Sequence, residues 1–145
     1  MNKKFIITGG PGTGKTSIIC KMINIGISCS KEISREIISE QIAIKGDVLP
    51  WKNLEAFSIK VAKMRKIQFE NAPNNQLHFF DRSIIDVIAY MNIEGLDTTK
   101  IYEIKKNINY QNPVFYTPIW KEIYTNDDER KEDFKKAITI ENKIL

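Results

Sequence analysis

The stretch that decides the fold is KKFIITGGPGTGKTSIICKM, residues 3–22. It holds four glycines between positions 9 and 14, although glycine is costly inside regular secondary structure. The segment from Gly9 to Thr16 fits the pattern G-x-x-x-x-G-K-[ST]. The apolar run before it predicts a buried parallel strand, and the apolar residues at helical spacing after it predict a helix. Strand, glycine-rich loop and helix are the context in which this pattern binds phosphate.

The chemistry of such a loop is that of a nucleotide site. Its backbone N–H groups wrap phosphate oxygens, and the positive end of the following helix points at the same atoms. We expect Lys15 to reach the β- and γ-phosphates of ATP and the Thr16 hydroxyl to ligate Mg²⁺. The alternative is a glycine-rich turn that binds nothing. The predicted nucleotide contacts are Gly9, Gly10, Pro11, Gly12, Thr13, Gly14, Lys15, Thr16 and Ser17.

Length and composition favour one domain over residues 1–145, because 42% hydrophobic and 28% charged residues suit a soluble chain with a core. No apolar run approaches the ~20 residues that cross a bilayer. The chain enters its first strand at once, so we expect a cytoplasmic protein with no signal peptide and no membrane partner. A net charge of +4 suits a phosphate-rich ligand. The basic residues are spread along the chain, so no nucleic-acid partner is implied.

Beyond the loop, short strands alternate with helices. The predicted strands cover residues 5–7, 27–30, 77–80 and 113–116, and the predicted helices lie within 17–25, 31–45, 53–69, 84–93, 98–109 and from 132 onwards. This alternation predicts a three-layer α/β domain with a mainly parallel sheet. Ligands of such sheets bind at the carboxyl ends of the strands. The phosphate loop, Glu32, Asp81 and the loop after Tyr116 are therefore expected at one edge.

Two charged residues follow the third strand. Asp81 closes an apolar run, where a carboxylate beside a phosphate loop helps to hold Mg²⁺. The alternative is an Asp that caps the next helix. Arg82 is a candidate clamp for a donor or acceptor phosphate, since a guanidinium binds two oxygens at once. Its alternative is a surface ion pair.

The acceptor side of the cleft is expected near Glu32 and Arg35, where a carboxylate could take the proton of an alcohol. The alternative is a helix-start Glu and a solvated Arg. Trp51 or Phe57 could stack on an acceptor ring, or be a core or rim residue. Arg130 lies in the charge-rich segment NDDERKED, which could close over ATP as a lid or be solvated.

Several segments together carry a family resemblance: FIITGGPGTGKTSII, EISREIISEQ, FFDRSIIDVIAYM and VFYTPIWKEIYTNDDERKED. They resemble, in the same order and over nearly the whole chain, the NadR-like P-loop domains. These are AAA-type ATPase or kinase domains similar to the nicotinamide-riboside-kinase half of NadR. The resemblance implies ATP and Mg²⁺ at the loop, Thr16 and Asp81 at the metal, and Arg82 at the phosphates. It also implies Glu32 and Arg35 towards the acceptor, and Arg130 in a lid.

The resemblance further implies a P-loop NTPase fold with the nucleoside-kinase-like strand order 2-3-1-4. Such domains generally continue into a fifth strand, whereas this sequence ends in a helical pattern, so we expect that strand to be missing. An uncovered fourth strand would favour self-association. The implied activity is a kinase that transfers the γ-phosphate of ATP to a nucleoside-like hydroxyl. The alternatives are a nucleotide-hydrolysing regulatory ATPase or switch, or a remnant that only binds nucleotide. Leu145 in NKIL replaces the Asp of a guanine-reading Asn-Lys-x-Asp, which favours ATP over GTP.

Overall fold

The computed structural model describes residues 3–10 and 13–118. Its strands are β1 (Lys4–Gly9), β2 (Ser28–Ser30), β3 (His78–Asp81) and β4 (Gln111–Thr117). Its helices are α1 (Lys15–Asn24), α2 (Ser34–Ala43), α3 (Leu54–Asn71), α4 (Ile84–Ile93) and α5 (Thr99–Lys105). The predicted last helix, the lid segment with Arg130 and the expected absence of a fifth strand concern residues outside the described part of the chain.

The described strands form one sheet in the order β2-β3-β1-β4, and every neighbouring pair is parallel. This confirms the predicted α/β class and strand order. The register pairs Ile7 of β1 with Asp81 of β3, and Gly9 of β1 with Thr117 of β4. The carboxyl ends of three strands therefore meet beside the phosphate loop, as the general rule for such sheets requires.

Helices cover both faces of the sheet. Successive side chains of a strand point to opposite faces, and β3 shows this in two adjacent residues. Phe79 packs with Ile7 and with Ile19 of α1, whereas Phe80 stacks on Phe69 of α3 with ring centroids 5.9 Å apart. On the α3 side, the apolar faces of α2, α3, α4 and α5 bury one another in the larger core cluster. The sheet is thus the middle layer of three.

Helix starts follow the sequence signals closely. The helix predicted within 53–69 begins after Asn53, whose side chain caps α3 by accepting a hydrogen bond from the backbone N–H of Ala56 at 3.1 Å. Ser83 and Asp86 form a capping box at the start of α4. The α5 helix ends at Lys105, short of the predicted residue 109, because Asn107 adopts a φ of 68° that a right-handed helix cannot contain.

His78 of β3 and Cys20 of α1 lie outside the predicted site residues. His78 lies between the hydroxyls of Ser28 and Ser30, 2.7 Å from its Nδ1 and 2.8 Å from its Nε2, and so ties β3 to β2. Cys20 is exposed on α1, since the neighbouring Ile19 takes the buried position. None of the helices in the described ranges is long and apolar enough to cross a membrane.

Candidate functional site

The phosphate loop joins β1 to α1. Gly14 is the N-cap of α1 with a φ of 87°, and no side chain of the residues that the structure describes caps the first turn. The first N–H groups of an uncapped helix are free to bind an anion. A Cβ on Gly9 would collide with the carbonyl and hydroxyl oxygens of Thr117, so glycine is needed where the loop presses against β4. Pro11 and Gly12, two predicted contacts, fall in the gap between the described ranges.

Lys15 is the charged residue of the loop, and it is buried, with 6% of its surface exposed. Its Nζ donates to the carbonyl oxygen of Gly10 at 2.7 Å and to the Thr13 hydroxyl at 3.0 Å. Burial, and then the charge of Arg82, lower the pKa of Lys15 below its ordinary range. An anion in the loop would reverse this effect, so the amine is placed to bind phosphate. Thr16 and Ser17 follow it and are exposed on the first turn.

A chain of hydroxyls connects the loop to β4, and the sequence did not reveal it. The hydroxyl oxygens of Thr13 and Thr117 lie 2.6 Å apart. Thr117 also donates to the carbonyl oxygen of Thr8 at 3.2 Å, and Thr13 donates to that of Gly10 at 3.0 Å. The contact could have been foreseen only from the strand order, because β4 ends next to β1.

Asp81 ends β3 with 4% of its surface exposed, and its Oδ1 is buried without a hydrogen-bond partner in the part of the chain that the structure describes. Burial raises the pKa of this carboxyl, and the negative charge of Glu32 raises it further. Asp81 does not cap the next helix, since Ser83 and Asp86 form that cap. The alternative of a capping Asp is therefore wrong.

An orphaned, buried carboxylate oxygen fits a hard cation such as Mg²⁺. Across residues 3–10 and 13–118, no group of three His, Cys, Asp or Glu side chains could hold a metal alone. Mg²⁺ commonly binds through one or two protein oxygens plus substrate phosphates and water. Asp81 and the Thr16 hydroxyl match that pattern.

Arg82 follows Asp81 with a φ of 69°, an uncommon conformation for a residue with a Cβ. Its backbone N–H donates to the carbonyl oxygen of Ile7 at 2.9 Å, which holds the turn against β1. Its Nη1 donates to the Tyr90 hydroxyl at 2.7 Å, and its Nε lies 3.3 Å from Oε2 of Glu32. The side chain is 11% exposed, so the alternative of a surface ion pair is wrong.

Glu32 lies just before α2, and its carboxylate is shared between two arginines. Oε1 accepts from Nη2 of Arg65 at 2.7 Å and from the backbone N–H of Ser34 at 2.8 Å, and Oε2 faces Arg82. Burial alone would raise the pKa of Glu32, but the charges of Arg65 and Arg82 outweigh it and hold the pKa at about 2. Glu32 is therefore an ionised, oriented carboxylate.

Arg65 was not identified from the sequence. It is 4% exposed on the face of α3 that also buries Ser58, Val61 and Ala62. A cation at helical spacing within a buried stripe needs a partner, and that spacing is the signal that could have found it.

The remaining candidate residues from the sequence are Arg35, Trp51, Phe57 and Arg130. Arg35 is half-buried on α2, and Trp51 is 41% exposed in the loop before α3. Phe57 is buried in the core, in agreement with the alternative of a core residue. Arg130 is beyond the described residues. The structure thus brings together Lys15, Glu32, Asp81 and Arg82, and adds Arg65 and Thr117.

A family model described as an AAA domain matches residues 4–145. A search of curated proteins finds no match.

Among solved structures, the NadR protein in complex with NR superposes with a TM-score of 0.71 at 18% identity, covering 99% of this chain and 41% of that one. A deoxyadenosine kinase from M. mycoides, with products dCMP and dCDP bound, gives a TM-score of 0.67 at 19% identity, covering 97% of this chain and 81% of that one. The same kinase with bound dATP gives 0.62 at 17% identity, covering 99% and 82%. At these identities the likeness establishes the fold, and this chain spans about two fifths of the NadR chain.

Proposed function

Since the chain belongs to the AAA-domain family, we propose that it binds ATP with Mg²⁺ and transfers the γ-phosphate to the hydroxyl of a nucleoside-like small molecule. One observation carries the proposal. The buried Lys15 of the phosphate loop, the orphaned carboxylate of Asp81 and the ion-paired Glu32 and Arg82 occupy the same edge of the sheet. A loop that only bound nucleotide would not require an oriented carboxylate beside it.

The phosphate loop is the donor half of this site. Its backbone N–H groups and Lys15 would bind the β- and γ-phosphates, and the uncapped first turn of α1 adds the positive end of its dipole. Thr16 and Asp81 would hold Mg²⁺, which when bound neutralises phosphate charge. The structural neighbours were solved with dCMP, dCDP, dATP or NR bound, which makes nucleotides and nucleosides the first ligands to test.

Glu32 and Arg82 form the acceptor half. The acceptor oxygen would form a bond to the γ-phosphorus while the bond between that phosphorus and the bridging oxygen of ADP breaks. The hydroxyl proton passes to Glu32, which is ionised at neutral pH, or to Asp81 as the alternative base. Arg82 would neutralise charge on the transferring group, and Arg130 would do so from the lid. Most of the acceleration would come from positioning and charge neutralisation.

The experiment is an isotope-labelled ATP assay against a panel of nucleosides that includes nicotinamide riboside. Transfer of label to a nucleoside supports the proposal, and Lys15→Ala supplies the inactive control. Release of labelled free phosphate alone would instead make the protein a regulatory ATPase or switch. If the protein does not bind ATP, it is a remnant that has kept the fold without the nucleotide site.

A further inference from the structure

We propose that Arg65 is a positioning residue of the acceptor half, which fixes the direction of the Glu32 carboxylate relative to Arg82. The inference rests on the proposed function for its catalytic meaning. The contacts themselves belong to the described part of the chain. Nη1 of Arg65 donates to the carbonyl oxygen of Ser83 at 2.7 Å. Nη2 donates to Oε1 of Glu32 at 2.7 Å and to the Ser34 hydroxyl at 3.2 Å.

Arg65 connects two segments that carry the site. Glu32 and Ser34 stand at the start of α2, after β2, whereas Ser83 caps α4, after β3. One planar guanidinium on a third element, α3, reaches both, which a single ammonium group cannot do with the same geometry. Any shift of α2 against α4 would break one of these bonds. Arg65 therefore sets the spacing between the segment of Glu32 and the segment of Arg82.

The distribution of bonds on Glu32 gives this spacing a chemical consequence. Oε1 accepts one hydrogen bond from Nη2 of Arg65 and one from the backbone N–H of Ser34, so both of its lone pairs are used. Among the contacts within residues 3–10 and 13–118, Oε2 receives the longer one, with the Nε of Arg82 3.3 Å away. A carboxylate oxygen with one remaining lone pair can accept the hydrogen bond of a hydroxyl. By holding Oε1, Arg65 assigns Oε2 to the acceptor.

The alternative role for Arg65 is to stabilise the fold without affecting catalysis, and it leads to a different prediction. A buried ion pair is weak evidence for stability, since well-packed apolar residues often serve as well. If Arg65 only held α2, α3 and α4 together, its replacement would lower stability while the folded fraction kept its turnover number. A positioning role instead predicts a loss of kcat in protein that is fully folded.

The test compares Arg65→Lys with Lys63→Met, a control at an exposed basic position of the same helix. Arg65→Lys keeps the charge but loses the fork. We expect kcat for the acceptor to fall at least about tenfold while KM for ATP stays within about threefold, because misplacement affects the transition state most. Lys63→Met should match the wild type. An unchanged kcat in folded Arg65→Lys would overturn the proposal.

A second comparison places the effect on Glu32. In a Glu32→Gln background, Arg65→Lys should reduce kcat by less than about threefold, since residues that act as a unit are not additive. An equal loss in both backgrounds would mean that Arg65 acts elsewhere. Arg65→Met removes the guanidinium entirely and should lower kcat as Arg65→Lys does. If Arg65→Met does not fold, the double variant Arg65→Met/Glu32→Gln, which removes both charges together, replaces it in the comparison with Glu32→Gln.

A readout without turnover separates this inference from the proposed function. Carbon NMR of labelled glutamate carboxyls follows the titration of Glu32 in ligand-free protein. In Arg65→Lys its midpoint should rise by at least about one pH unit, because a single ammonium replaces the two-pronged contact. An unmoved midpoint would overturn the inference even in an active enzyme. If the wild type phosphorylates no acceptor but the midpoint moves, the proposed function fails and the positioning of Glu32 stands.

Discussion

Replacing Glu32 with Gln should remove a contribution to the free energy of unfolding that is present at neutral pH and is lost in acid. Arg65 and Arg82 hold the folded pKa at about 2 against an ordinary value of 4.5. A carboxyl whose folded pKa is depressed stabilises the fold above its unfolded pKa and loses that contribution as the pH falls through the folded pKa. At about 1.4 kcal/mol per pH unit, the interval between the two values corresponds to about 3 kcal/mol at pH 7.

The assay is urea unfolding of the wild type and Glu32→Gln from pH 7 down to pH 3. The difference in free energy of unfolding between the two proteins should be about 3 kcal/mol at pH 7. Relative to that value, it should be smaller by about 1 kcal/mol at pH 4 and by about 2 kcal/mol at pH 3. Glu40→Gln, at an exposed position of α2, should show no such narrowing. A Glu32→Gln difference that stays constant over this range would refute the ion-pair account of the site.

Three further predictions follow from the loop, the metal site and the sheet. Lys15→Ala should abolish tight Mg-ATP binding in calorimetry while the far-UV spectrum is unchanged, since the amine is the buried cation of the loop. Asp81→Asn and Arg82→Ala should each cut kcat at least about 100-fold with much smaller changes in ATP affinity, because both act on charge that shifts during transfer; similar losses in both quantities would contradict this. The uncovered outer edge of β4 that we expect from the sequence predicts concentration-dependent self-association in light scattering, which Phe115→Lys should weaken; a monomer at every concentration would contradict that expectation.

Local spacing in the sequence was enough to predict the phosphate loop and the starts of the helices. The Gly9–Thr16 pattern, the helix start near residue 53 and the acidic residue at the end of β3 each depend on neighbours in the chain. The strand order came from a family resemblance, and the parallel pairing of the described strands agrees with it. Chain connectivity alone leaves several orders open, because parallel strands need not be neighbours in sequence.

Contacts between distant segments could not be predicted from local patterns. Arg65 binds a carboxylate 33 positions away, and Thr117 reaches Thr13 across 104 positions. Each depends on which helix faces which strand end. The length of α5 was also missed, since the left-handed conformation of Asn107 is a choice that tertiary packing makes. Asn adopts that conformation more readily than most residues, so it was a weak signal for a helix end.

The measurement that tests the central claim most directly follows the γ-phosphate of ATP by phosphorus NMR in the presence of Mg²⁺ and the best acceptor of the nucleoside panel. We expect its signal to pass into a phosphomonoester of the acceptor, with one ADP formed per transfer, and we expect Glu32→Gln to slow this step while ATP still binds. A signal that passes only into free phosphate, at a rate indifferent to the acceptor and to Glu32, would contradict the proposed function.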